Sequence, residues 1–372
     1  MSLTAPRIFI SAGEPSGDQH AARLVPALLR RFPGAMIEGF GGPAMVEAGA
    51  TVRFRMEPYT AMGFLEVVTR LHPHLRLLDA LRAEFRAGRY DLVVLVDYPG
   101  FNLRLAERAR QAGVRTLYYI APQLWAWRAG RARRLARAAQ RTAVILPFEP
   151  AFFASHGVPA TFVGHPLVER DWPTRAEARR GLGIDEAERV LAVFPGSRRQ
   201  EVERLWPEFR GAASQLLDEG ACQRVLVAGT PAGDYPGHHR FTLLSGDSAR
   251  ALAAADAAIV KSGTTTLEAA LGGTPLVVAY RVHPLSAAIA RRVMRVPWVS
   301  LVNLVAGRQV VPELLQDRMT VDALVQSVRP LLDPASQQRV AQLEGLRDVR
   351  ARLGERGAAD RVASLAAELL AS

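Results

Sequence analysis

The stretch VFPGSRRQEV, residues 193–202, runs from apolar residues into proline, glycine, serine and then arginine. Free backbone N–H groups at Gly196 and Ser197 suit a phosphate, and the Arg198 fork suits holding it. The same pattern also makes a tight turn with a solvated arginine. In KSGTTTLEAALGG, residues 261–273, Ser262, Thr264 and Thr265 can cap a helix whose positive end faces a ligand. Glu268, in the first turn of that helix, either accepts bonds from ribose hydroxyls or closes a capping box. VDYPGFNLRLAERA, residues 96–109, ends an apolar run on Asp97. A carboxylate there is poorly explained by packing and well placed for general-base work or substrate-hydroxyl binding, with capping of the next helix as the alternative. Glu14, Ser16 and Asp18 lie in the opening turn SAGEPSGDQH, residues 11–20, whose small residues would let a ligand approach the backbone. Farther on, Tyr118, Tyr119, Trp125 and Trp127 crowd around Pro122 and Gln123, as a floor for a sugar or acyl group or as core filling.

Other chemistries lack their residues. No G-x-S-x-G or P-loop pattern occurs, and His72, His74, His238 and His239 are not spaced as a helical metal pair. GFGGPA at Gly39 satisfies the dinucleotide pattern, but Pro43 and the short preceding run make it weak evidence for NAD. His165 reads as structural. One cysteine, Cys222, excludes an intrachain disulfide and a cysteine-rich zinc site, so a reducing compartment is expected. The formal charge is +11, yet Lys261 is the only lysine among 47 Lys and Arg residues, which points to a composition-wide arginine bias. The densest basic run, residues 128–141, lacks interleaved aromatics and reads as one charged helix face; nucleic acid is not the expected partner.

These residues need elements to hold them. With 372 residues, 49% of them hydrophobic, the chain is long enough for two domains. Apolar runs at Asp91, Arg115, Arg141, Arg189, Arg224 and Ala257 alternate with helical patterns, which predicts an α/β fold of parallel sheets covered on both faces. The polar stretch at residues 170–188 reads as a linker, dividing the chain into domains 1–169 and 170–372, with residues 351–372 packing on their own domain or crossing to another domain or subunit. Ligands in such sheets sit beyond the carboxyl ends of strands, so the candidate residues should face a shared cleft. In MGFLEVVTRLHPH, residues 62–74, Phe64, Leu65, Val67, Val68 and Leu71 form an apolar cluster among arginines, either a core helix or a surface that dips into an anionic lipid interface.

AGEPSGDQHAARL, GFGGPAM, MGFLEVV, VDYPGFN, APQLWAWR, LPFEPAFF, FVGHPL, FPGSRRQEV, KSGTTTLEAAL and SLVNLVAGRQVVPELLQ follow one another between residues 7 and 316. Taken together they resemble the lipid-A-disaccharide synthase family, the family 19 glycosyltransferases. The resemblance implies a B-type glycosyltransferase fold of two Rossmann-like domains without a catalytic metal or cofactor. It implies transfer of 2,3-diacylglucosamine from UDP onto the 6-hydroxyl of 2,3-diacylglucosamine 1-phosphate, with a β-1,6 disaccharide and UDP as products. Rival readings are another UDP-sugar enzyme of this fold, such as a non-hydrolysing 2-epimerase or a peptidoglycan glycosyltransferase, and a non-catalytic sugar-nucleotide-binding regulator.

On this resemblance Gly196, Ser197 and Arg198 meet the pyrophosphate, and Ser262, Thr264, Thr265, Glu268, Asn303 and Gln309 hold the rest of the UDP group. Asp97 takes the acceptor proton with Glu14 beside it, and Ser16, Asp18, Asn102, Gln123 and Trp125 shape the acceptor side. The Met62–Leu71 surface would meet the cytoplasmic face of the inner membrane, making the protein cytoplasmic and peripherally associated; a homodimer is left open. Two departures stand out. Gly100 replaces the second aspartate of D-x-P-D-F-N, and Val302 replaces the proline of SLPNL.

Overall fold

The uninterrupted apolar runs become strands buried on both faces. In the computed structural model, which describes all residues except 1–4, 60–70, 128, 231–232, 284–286, 288–291, 293 and 295, the chain divides into two compact units. Residues up to Pro166 together with Gly354–Ser372 form the first; Leu167–Leu353 form the second.

The first unit contains β1 (Arg7–Ser11), β2 (Met36–Gly41), β3 (Thr51–Arg55), β4 (Leu92–Val96), β5 (Arg115–Tyr119), β6 (Arg141–Val144) and β7 (Ala160–Phe162). They pair in parallel in the order β3-β2-β1-β4-β5-β6-β7. Alternation assigns the faces: Ile8, Ile10 and Val94 pack with helices Pro15–Arg31 and Ala358–Ala371, while Phe9, Val93 and Leu95 pack with Leu71–Arg86, Pro99–Gln111 and Ala132–Ala138. The terminal helix thus belongs to the first unit. Val362, Ala366 and Leu369 complete its core, and Arg361 Nε donates to the Val163 carbonyl at 2.8 Å.

The second unit contains β8 (Val190–Phe194), β9 (Arg224–Gly229), β10 (Thr242–Ser245), β11 (Ala257–Lys261), β12 (Leu276–Tyr280) and β13 (Glu313–Leu315), parallel in the order β10-β9-β8-β11-β12-β13. Helices Arg199–Asp218 and Val321–Leu332 cover one face. In each sheet the strand order reverses beside its first strand, between β1 and β4 and between β8 and β11. A doubly wound sheet opens a crevice at such a reversal.

The stretch expected to be a linker is instead an ordered part of the second unit. Thr174 and Glu177 form a reciprocal capping box that starts helix Arg175–Gly181. Arg179 is fully buried, its guanidinium donating to the carbonyls of Ala254 (3.1 Å), Asp185 (2.7 Å) and Glu186 (3.1 Å) and to Asp256 Oδ2 (2.8 Å). Composition alone hid this, because the helix is held by a buried cation and not by an apolar stripe. Among the described residues no helix is long and apolar enough to cross a membrane, and no cluster of acidic, histidine or cysteine side chains is arranged to hold a metal ion.

Asp256 also accepts from Arg175 and from the Val190 N–H, both at 2.8 Å. Asp256→Ala should therefore leave a buried guanidinium without its counter-charge and cost about 3–5 kcal/mol in urea unfolding, a much larger loss than an exposed ion pair would show.

Candidate active site

Where β4 ends, Asp97 and Tyr98 both have φ of 48°, so two consecutive non-glycine residues are left-handed. Each such residue costs roughly 1–3 kcal/mol and persists only where its surroundings enforce it. Here hydrogen bonds supply that enforcement. Asn102 Nδ2 donates to the carbonyls of Asp97 (2.8 Å) and Val96 (3.1 Å), the Tyr118 hydroxyl donates to the Asp97 carbonyl (2.7 Å), and the Asp97 N–H donates to Tyr119 O (3.0 Å). Ser11 Oγ, at the end of β1, donates to Asn102 Oδ1 at 2.6 Å, tying the two strands together at the reversal.

The corner turns the Tyr98 ring onto Gly13, where a Cβ would lie only 2.2 Å from the ring. His74 Nε2 lies 2.7 Å from the Tyr98 hydroxyl. Gly13 of the opening turn therefore seats an aromatic ring of the protein itself. Burial is the largest influence on the Asp97 carboxyl, and the nearby Glu14 charge adds to it; together they outweigh the Tyr98 N–H bond and push the pKa up to about 6. Glu14 and Ser16 are exposed at the start of helix Pro15–Arg31.

Three residues expected on the acceptor side serve the fold instead. Asp18 is buried and accepts from the N–H groups of Gly42 (2.8 Å), Ala44 (2.9 Å) and Met45 (3.3 Å), capping helix Pro43–Glu47 from a distance. Asn102 has both ends of its amide used in the corner. Trp125 is buried, donating from Nε1 to Glu149 Oε1 at 3.0 Å, while Glu149 also accepts from the N–H groups of Ile145 (3.1 Å) and Leu146 (2.9 Å). Gln123 is exposed just past β5. Gly100 is exposed with nothing near its missing Cβ, so a second carboxylate there would project into open space. Phe64, Leu65, Val67 and Val68 lie outside the described residues, and Leu71 begins helix Leu71–Arg86.

In the second unit a cavity of about 250 Å³ opens at the carboxyl ends of β8, β9, β10 and β11, lined by Gly196, Ser197, Lys261, Thr265 and Glu268 among others. Gly196 has φ of 124°, a conformation that side chains rarely adopt. It bends β8 into helix Arg199–Asp218 and exposes the Ser197 and Arg198 N–H groups, which donate to Glu201 Oε2 at 3.2 and 3.4 Å. Glu268 Oε1 accepts from Arg170 at 2.9 Å, and Arg170 stands 5.2 Å over the Trp172 ring. Burial raises the Glu268 carboxyl above its usual range against the pull of Arg170. The Thr230 hydroxyl, also on the cavity wall, is buried with no partner among the described residues.

The remaining candidates divide. Thr264 is exposed ahead of helix Thr265–Gly272, whereas Ser262 Oγ donates to Val299 O at 2.8 Å. Asn303 is fully buried, its Oδ1 accepting from the N–H groups of Val310 (2.7 Å) and Val311 (2.9 Å) and its Nδ2 donating to Val311 O (3.0 Å) and Glu313 (2.8 Å). It folds the loop that leaves Gln309 exposed. Sequence reasoning missed Tyr98, Ser11 and Glu201; the available signal was an aromatic inside VDYPGF opposite a glycine, and a glutamate three residues beyond Arg198.

Two doubly wound parallel sheets, each loaded with polar groups at its reversal, define the B-type glycosyltransferase architecture. Its solved neighbours include Phytolacca americana UGT2 complexed with UDP-2fluoro-glucose and pterostilbene (TM-score 0.65, 15% identity, covering 99% of this chain and 100% of that one). Another is UDP-GlcNAc 2-epimerase from Neisseria meningitidis bound to UDP-GlcNAc (TM-score 0.57, 10% identity, covering 98% and 99%). At those identities the likeness concerns the fold. Residues 8–367 match the lipid-A-disaccharide synthetase family, and lipid-A-disaccharide synthase of Myxococcus xanthus (strain DK1622) is 42% identical over 375 residues, covering 98% of each chain. The chain belongs to the lipid-A-disaccharide synthetase family and is a glycosyltransferase of lipid A biosynthesis.

Asn102→Ala should cost about 2–4 kcal/mol in denaturant unfolding, because it strands buried groups on two segments, at Ser11 and at Val96 and Asp97. It should also lower turnover even where the variant remains folded, since the corner that aims Asp97 is then unsupported.

Proposed function

We propose that the protein moves 2,3-diacylglucosamine from UDP to the 6-hydroxyl of 2,3-diacylglucosamine 1-phosphate in one inverting step. The acceptor oxygen forms a bond to the anomeric carbon as the bond from that carbon to the diphosphate breaks. The electron pair leaves on the β-phosphate oxygen of UDP, and the acceptor proton passes to Asp97. The single observation that supports this reading best is the Asp97 carboxylate: it stands at a sheet reversal, is locked by the backbone corner, and has a pKa of about 6. Such a group is ionised at neutral pH yet more basic than an ordinary aspartate, as a general base requires. Glu14 acts on it through space, and Arg198 with the Ser197 and Arg198 amides stabilises the charge that develops on departing UDP.

The lipid substrates bring the enzyme to a surface. The first unit would then serve the acceptor and the cytoplasmic face of the inner membrane. Helix Leu71–Arg86, which carries Arg76, Arg82 and Arg86, follows directly on the apolar Met62–Leu71 segment. The second unit would hold the UDP-sugar.

Mass spectrometry of the protein incubated with UDP-2,3-diacylglucosamine and the acylated monosaccharide phosphate should show the disaccharide 1-phosphate and an equal amount of UDP; epimerised donor without UDP release would overturn the assignment. Asp97→Asn should reduce kcat by about 10²–10⁴ with UDP affinity unchanged, and undiminished turnover would exclude the base role. Asp97 must be ionised to accept a proton and is protonated below its raised pKa, so kcat/KM should fall as pH drops through about 6 and level off above it. Glu14→Gln removes a charge that helps raise that pKa, so the acid limb should move to lower pH.

A further inference from the structure

Lys261 is the only lysine among the 47 Lys and Arg residues, so at every other cationic position the chain uses arginine. It ends β11, the strand that pairs with β8 at the sheet reversal, and it lines the cavity beside Gly196 and Ser197. Its side chain is 20% exposed, against 81% for Arg198. Unlike Arg198, the lysine is held within the cavity wall, where solvent and salt screen a charge least. Its ammonium lies 3.2 Å from Glu201 Oε1 and 5.9 Å from the centre of the Tyr280 ring.

Glu201 gathers an unusual set of partners on one carboxylate. Oε2 accepts from two consecutive backbone N–H groups, those of Ser197 and Arg198, while Oε1 faces the Lys261 ammonium and, at 3.4 Å, the Arg198 guanidinium. Burial alone would raise this carboxyl, but the Lys261 charge and these bonds outweigh it and hold the group ionised below its usual range. Two amides at a helix start plus two cations are the donors that a phosphoryl group takes from a protein. The carboxylate of Glu201 therefore makes the contacts of a phosphate with an anion the chain carries itself.

We infer that Lys261 is a diphosphate-binding residue of the donor site and that Glu201 is its internal counter-anion, which the phosphates of the nucleotide replace. This rests on the UDP-sugar reading of the cavity. It gives the one lysine a physical reason: an ammonium is a compact charge with three freely aimed donors, able to pass from a carboxylate to a phosphate without the fixed planar fork of a guanidinium. It also separates two roles, with the exposed Arg198 answering the charge that develops on leaving and Lys261 holding the diphosphate in place.

Isothermal titration calorimetry of the full chain with uridine and with UDP decides the matter. Lys261→Met should weaken UDP binding about 10- to 100-fold while leaving uridine binding unchanged, the loss of one charge-assisted bond. Glu201→Gln should tighten UDP binding about 3- to 10-fold, again without effect on uridine. A wild-type ratio of UDP to uridine affinity in Lys261→Met, or unchanged or weakened UDP binding in Glu201→Gln, overturns the inference while leaving the nucleotide site standing. Wild-type protein that binds UDP no better than uridine overturns the diphosphate reading and this inference with it. Thermal melting identifies a variant that fails to fold, in which case the other variant carries the decision.

Discussion

The backbone corner at Asp97 and Tyr98 is the constraint on which the geometry at the end of β4 depends. Two left-handed residues in succession would relax in a free chain, and they are held here by one buried amide, one phenol and one serine. The geometry turns a strand of five apolar residues into a helix within two positions, so the carboxylate projects where the sheet reverses and cannot swing back into the ladder. Rigidity and raised basicity share this origin. The packing that fixes the corner also strips water from the carboxyl, and with the nearby Glu14 charge this makes Asp97 a better proton acceptor than an exposed aspartate.

The second unit manages charge by pairing. Asp256 and Arg179, Glu268 and Arg170, and Glu201 and Lys261 are carboxylate–cation pairs in which at least one partner is largely withdrawn from solvent. Only the first is tied to a fully buried guanidinium with carbonyls on its remaining donors, and it belongs to the architecture. The other two each contribute one member to the cavity wall, Glu268 in one pair and Lys261 in the other. Burial depth and the number of internal partners distinguish the first pair from the other two better than residue type does.

That distinction explains what the sequence could and could not disclose. Strand runs such as DLVVLVDY and RVLAVFPGS are apolar throughout, and only a parallel sheet covered on both faces accommodates them, so fold class was legible. Asp97 and Glu268 were legible as candidates because a carboxylate at the end of an apolar strand or in a helix's first turn has few bland explanations. Asp18, Asn102 and Trp125 carry equally suggestive chemistry, and each is bonded to partners distant in sequence: Asn102 to Ser11, Asp18 to the turn at Gly42 and Trp125 to Glu149. No local pattern encodes those distances. Residues 170–188 misled for the opposite reason, since a helix locked by Arg179 looks as polar as a loop.

The helix Ala358–Ala371 has a bearing on how the molecule is made. It supplies Val362, Ala366 and Leu369 to a core whose other walls are β1, β4 and helix Pro15–Arg31, although the entire second unit intervenes in the chain. During synthesis the residues of that second unit emerge as one contiguous block and can close on themselves, while the amino-terminal sheet waits with Ala21, Leu24 and Leu28 uncovered. The half that leaves the ribosome first is thus finished last, its core incomplete until Val362, Ala366 and Leu369 have been made.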